Sequence, residues 1–150
     1  MEDNRIHNWV KVILSEMSHL ENQEGQKVIE KCGRACANNS QLLEKVKEVR
    51  RQFSDDASIV ELFHAFKEKA YNSPNFYMKE EQIYLEFKEC TCPLVKDGKV
   101  DNPFLCHCTQ GYTKEIFETL FGRTVNVELQ KSILNGDDIC RQVISVQPSR

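Results

Sequence analysis

The sequence predicts an α+β fold, with N-terminal helices packed on a small antiparallel sheet that carries a cysteine-rich hairpin. Three observations support this. From Ile6 to Ala70 apolar residues recur every three or four positions, which is the spacing of one helix face. After Asn72-Ser73-Pro74-Asn75 the period falls to two, as in a half-buried strand. Between Cys90 and Cys108, two Cys-x-Cys pairs flank Asp97-Gly98, a dipeptide suited to a tight type I′ turn because both turn residues tolerate positive φ.

In chain order, Ile6, Trp9, Val10, Ile13, Met17 and Leu20 mark the core-facing side of a first helix. A second helix follows Glu24-Gly25, with Val28, Ile29, Cys32 and Cys36 on one stripe, and Asn38-Asn39-Ser40 ends it. Ser40 caps a third helix that turns Leu42, Leu43, Val46, Val49 and Phe53 inward and leaves a basic, solvated face. Ser58 and Glu61 form a capping box that opens a fourth, with Ile59, Leu62, Phe63, Phe66 and Ala70 buried, ending near Tyr71. Ile83, Leu85 and Phe87 alternate in a strand that runs into the cysteine hairpin. Gly111-Tyr112 marks the start of a short helix from Thr113 to Phe121, closed by Gly122. Val125, Val127 and Leu129 form the next strand, Asn135-Gly136 a hairpin turn, and Ile144 and Val146 its partner, with Cys140 on their side. Residues 1–150 are expected to make a single domain, with a helical half at 1–72 and a sheet half with the cysteine hairpin at 80–147.

Composition narrows the function. A net charge of −3 gives no field to draw the molecule to nucleic acid or an anionic membrane. The acidic start and the lack of an uninterrupted apolar run speak against a secretory leader or a membrane span, so the chain reads as cytoplasmic. In a reducing compartment seven cysteines point to thiols or metal ligands rather than a disulfide framework. No Gly-rich phosphate loop, Gly-x-Ser-x-Gly elbow or His-Glu-x-x-His helix is present.

In an extended chain, residues two apart point to one side, so a folded-back segment can bring Cys90, Cys92, Cys106 and Cys108 to one tetrahedral zinc ion. Packing as small hydrophobes and disulfide formation are the competing readings. Cys32 and Cys36, at i and i+4, suit packing or ligation equally well, and Cys140 suits either a core position or a ligand. His64 is a lone histidine within a helix and reads as structural.

The run Cys108-x-x-Gly111-Tyr112, a helix, Gly122, an alternating strand, then Gly136-Asp137-x-x-Cys140 resembles the end of the 4-vinyl-reductase-type, or hydrocarbon-binding, domain family. It is also similar to small bacterial proteins of the 2-amino-thiazoline-4-carboxylate hydrolase-like type. The likeness covers residues 82 to 146. It implies an α+β domain around an apolar small-molecule pocket, with a structural zinc held by cysteines and a glutamate. Cys108 and Cys140 match two of that family's cysteines, whereas Ser132 stands where it has another, and Glu128 sits one place from its acidic ligand.

Two functions follow as expectations. One is a small-molecule binding or sensing module for an apolar or heterocyclic ligand, with a zinc-stapled hairpin, a pocket lined by Tyr84, Phe87, Tyr112 and Phe117, and room for a homodimer. The other is a cysteine- or metal-dependent hydrolase acting on a small heterocyclic or amide substrate, with His107 or Glu128 as acid or base. For the four aromatics, plain core packing is the competing reading.

Overall fold

The computed structural model describes residues 4–90, 92–96 and 100–148. Among them the order is α1 (Arg5–Ser18), α2 (Glu24–Asn38), α3 (Gln41–Arg51), α4 (Ile59–Ala70), β1 (Phe76–Lys79), β2 (Gln82–Phe87), the single turn α5 (Pro93–Lys96), α6 (Cys106–Phe121), β3 (Val125–Lys131) and β4 (Cys140–Val146). The strands form one antiparallel sheet in the order β1-β2-β4-β3. This is the α+β architecture expected, with the helices first and the sheet after.

The helix boundaries follow local chemistry. Ser40 Oγ accepts the Leu43 N–H at the start of α3. At the start of α4, Ser58 and Glu61 close a reciprocal capping box. Gly122 adopts φ 66° and ends α6, a left-handed cap that costs glycine little.

The main core lies between α3, α4 and α6 and one face of the sheet. Phe76 is at its centre, with ring centroids 4.9 Å from Phe63, 5.7 Å from Phe66 and 5.8 Å from Phe117. These separations fall within the range of favourable aromatic pairs. A second apolar cluster joins Leu14 of α1, Ile29 of α2, Val100 and Leu105.

The buried stripe of α2 is Gly25, Ile29, Gly33 and Ala37, while Val28, Cys32 and Cys36 face outward. Small residues let α2 and α6 approach until their backbones touch. A Cβ on Gly33 would lie 1.8 Å from the Cys108 carbonyl oxygen, and one on Gly111 would lie 2.0 Å from the Glu30 carbonyl oxygen. Gly111 is therefore not the start of the helix. It lies within α6, where close approach requires it. Ion pairs flank the crossing: Lys114 to Glu30 at 3.0 Å, and Arg34 to Glu118 at 2.9 Å.

Several expectations need correction. In α1 the core-facing residues are Leu14, Val10 and Met17, whereas Ile6 and Trp9 are 71% and 67% exposed and Leu20 is also exposed. A strand precedes Ile83: β1 pairs with β2 through a two-residue turn in which Glu80 and Glu81 take φ 52° and 66°. Asn135-Gly136 does not make a tight hairpin. Lys131 pairs with Arg141, so the β3–β4 connection is a longer loop containing a 3₁₀ turn, Ile133–Asn135, and Gly136 at φ 99°.

The cysteine segment folds back, with the Val100 N–H donating to the Leu94 carbonyl at 3.2 Å, but its limbs are not paired strands. Pro93–Lys96 is a helical turn, and Asn102 caps a 3₁₀ turn at Pro103–Leu105 that leads into α6. Cys106 and Cys108 therefore sit in the first turn of a helix. The Asp97-Gly98 turn lies outside the described residues, as do Thr91 and Lys99.

A cysteine-lined apolar cavity

A cavity of about 470 Å³ opens between the helices and the sheet. Phe66, Phe76, Leu85, Ile116, Phe117 and Leu129 make its apolar walls, and they come from α4, β1, β2, α6 and β3. The alternation of β2 directs Leu85 and Phe87 to it, and the same alternation in β4 directs Cys140 and Gln142. Gln142 is 1% exposed, and its Oε1 accepts the Thr113 hydroxyl at 2.6 Å, so this polar pair in the wall is satisfied.

Six of the seven cysteines border the cavity: Cys36, Cys90, Cys92, Cys106, Cys108 and Cys140. None of the seven is buried. Cys32 and Cys36 are exposed and the other five half-buried, with Cys92 and Cys108 packed against the second apolar cluster. Burial pushes the Cys106 thiol up, a hydrogen bond with Ser132 at 3.2 Å pulls partly back, and Cys140, Cys90 and Cys92 add to the rise. Cys108 is pushed up to about 12, mainly by burial and then by Cys92, Cys36 and Cys32. Cys140 is raised by burial, against the Ile133 N–H that donates to its sulfur at 3.3 Å. All three shifts favour the neutral thiol.

The four cysteines of the expected zinc site thus share one cavity. However, residues two apart on a helix are separated by roughly 200° around its axis, so Cys106 and Cys108 point different ways. Cys106 reaches Ser132, while the electrostatic neighbours of Cys108 are Cys92 and the α2 cysteines. Among the described residues no group of three or more His, Cys, Asp or Glu side chains can hold a metal ion.

Of the aromatics, Phe87, Tyr112 and Phe117 line the cavity. Tyr84, one residue out of phase with Ile83 and Leu85, is on the other face of the sheet, stacked on Tyr77 at 5.1 Å. His107 Nδ1 donates to Gln110 Oε1 at 2.8 Å, and Gln110 Nε2 in turn donates to the Val127 carbonyl at 3.1 Å. Gln110 thereby braces α6 against β3 and fixes the orientation of the imidazole. Glu128 and His64 are exposed. The link that sequence reasoning missed is the loop after β3: adjacent residues Ser132 and Ile133 hold Cys106 and Cys140. A hint was present in Ser132, which stands where the resembling family has a cysteine.

The sequence profile of a family of unknown function, DUF6144, matches residues 1–149. The chain belongs to that family. No curated protein matches it in sequence. Among solved structures, this DUF6144 chain is similar to an H-NOX protein from S. oneidensis, crystallised in the Fe(II)NO ligation state. The TM-score is 0.52 at 17% identity, covering 99% of this chain and 77% of that one, so the likeness is one of fold. Among the described residues of the DUF6144 chain no helix is long and apolar enough to cross a membrane.

Proposed function

We propose that the chain is a binding or sensing module for a small apolar or heterocyclic ligand. The observation that carries this is the cavity itself: about 470 Å³, walled by aromatic and aliphatic side chains with few polar groups, which is the size and character of small-molecule sites. The H-NOX protein of similar fold was crystallised in an Fe(II)NO ligation state, which supports reading this architecture as a carrier of small ligands. The likeness of residues 82–146 to hydrocarbon-binding domains points the same way. The proposal is made without zinc, since it rests on the apolar cavity and not on a metal site. A cysteine hydrolase would need a stabilised thiolate, and burial shifts Cys106, Cys108 and Cys140 in the opposite direction.

Titration with N-phenyl-1-naphthylamine, an uncharged probe that fluoresces in apolar surroundings, tests the reading. The expected result is saturable binding of one probe per chain, abolished by Ile116→Trp, which fills the cavity, in a variant whose circular dichroism is unchanged. Absence of saturable binding to the wild-type chain would overturn it, as would undiminished binding to the filled variant.

A further inference from the structure

Twenty-one of the described residues line the cavity, so an even spread would put about one of the seven cysteines there, and six line it. Two of those six are held in a way the others are not. Cys106 is the first residue of α6 and Cys140 the first residue of β4, both parts of regular elements. Their sulfurs are tied to consecutive residues of one turn, Cys106 Sγ to Ser132 Oγ at 3.2 Å and Cys140 Sγ to the Ile133 N–H at 3.3 Å. The turn is itself fixed, since the Ser132 N–H donates to Asp137 Oδ2 at 2.8 Å and the Ser132 carbonyl accepts the Asn135 and Asp137 N–H groups. Two thiols facing an apolar chamber are thus anchored to one turn, with Cys140 the first of the cysteines to act on Cys106 electrostatically.

We propose that Cys106 and Cys140 form a dithiol site that captures an apolar ligand bearing a neutral, thiol-seeking centre of the trivalent organoarsenical type. This rests on the reading of the cavity as an apolar ligand site and names the chemistry of its ligand. A zinc-like divalent cation takes three or more protein ligands, and no such group stands among the described residues. The neutral centre proposed avoids this requirement. In the condensation of R–As=O with two thiols, both S–H bonds break, two As–S bonds form, and the oxygen leaves with both protons as water. No oxidant or reductant is consumed, and no charge is left in the cavity. Two sulfurs suffice, which agrees with the absence of any three-ligand group among the described residues. The organic body of the ligand would occupy the space beside Phe87, Leu129 and Ile116.

Displacement of N-phenyl-1-naphthylamine by phenylarsine oxide and by acetophenone, probes of similar apolar body, provides the test. Phenylarsine oxide is expected to displace the dye at concentrations on the order of 100-fold lower, because closing the second As–S bond is intramolecular. Intact mass should show one phenylarsine oxide added with loss of one water, and digestion should leave the Cys106 and Cys140 peptides joined. Cys106→Ala and, separately, Cys140→Ala should each bring the arsenical back to within a few-fold of acetophenone, while Cys32→Ala changes nothing. An arsenic bridge mapped to Cys32 and Cys36, an i,i+4 surface pair, would overturn the assignment. Equal displacement by the two probes would overturn the dithiol site and leave the apolar binding reading standing. Failure of the dye itself to bind would overturn that reading.

Discussion

Replacing Gly33 with alanine tests the feature on which the cavity's helical wall depends. The new methyl carbon would start 1.8 Å from the Cys108 carbonyl oxygen and 2.8 Å from the Tyr112 nitrogen, both backbone atoms that cannot rotate away. To reach even 3.0 Å, the two helices must separate by more than about 1 Å. Alanine gains about 1 kcal/mol over glycine as a helix former. Against that stand overpacking, at about 1–3 kcal/mol or more where backbones must shift, and strain on the Lys114–Glu30 and Arg34–Glu118 pairs that flank the contact. A net loss of about 2–3 kcal/mol is the expected balance. In a chain of this size that corresponds to a fall in Tm of about 5–10 °C. Urea and thermal unfolding followed by circular dichroism measure it. Cys32→Ala, on the exposed side of the same helix, serves as a control and should stay within about 0.5 kcal/mol. An alanine variant as stable as the wild type would show that the helices are not in backbone contact.

Other predictions follow from the same geometry. Thr113→Val removes the only hydroxyl shown bonding Gln142 Oε1 and should cost about 1–3 kcal/mol by urea titration, with an unchanged midpoint refuting the bond. Because the folded chain holds Cys108 protonated up to about 12, against an ordinary 9.0, its contribution to stability is complete below about pH 9 and is lost as pH rises towards 12. Unfolding midpoints under reducing conditions should therefore fall across that window, and fall less in Cys108→Ala. An equal slope in both proteins would refute the assignment. Substituting Asn-Gly for Glu80-Glu81, which both carry positive φ, should stabilise the β1–β2 hairpin by about 1 kcal/mol, readable as a higher urea midpoint. Elemental analysis of chain purified without added metal should find well under one zinc per molecule, and a full equivalent would reopen the four-thiolate reading.

The elements that were legible in the sequence are those whose local chemistry agrees with their packing. Ser40, the Ser58–Glu61 box and Gly122 each mark a helix end through a bond or a backbone angle that needs no tertiary partner. The failures share a cause. The buried stripe of α2 is built largely of glycine and alanine, which a search for large apolar residues passes over in favour of Val28 and Cys32. The β1–β2 turn is made by two glutamates held at positive φ by the pairing of Phe76 with Leu85 and Lys79 with Gln82, so no turn residue announces it. In α1 the exposed Ile6, Trp9 and Val12 outweigh the single buried Leu14 in any periodicity count. The cavity was foreshadowed by its cysteines and by Phe87, Tyr112 and Phe117. The Cys106–Ser132 and Ile133–Cys140 contacts were not, because the first depends on how α6 packs beside the loop after β3 and the second on how that loop folds.

Two backbones that meet without side chains between them cannot be squeezed closer. At Gly33 and Gly111, α2 and α6 therefore lie across each other like rods on a fulcrum, with tilt as the freedom that remains. Cys108 lies at that contact itself, and Ile116 and Phe117 lie on the part of α6 beyond it. Whatever occupies the chamber, the helical wall those residues form cannot retreat toward α2 at the crossing.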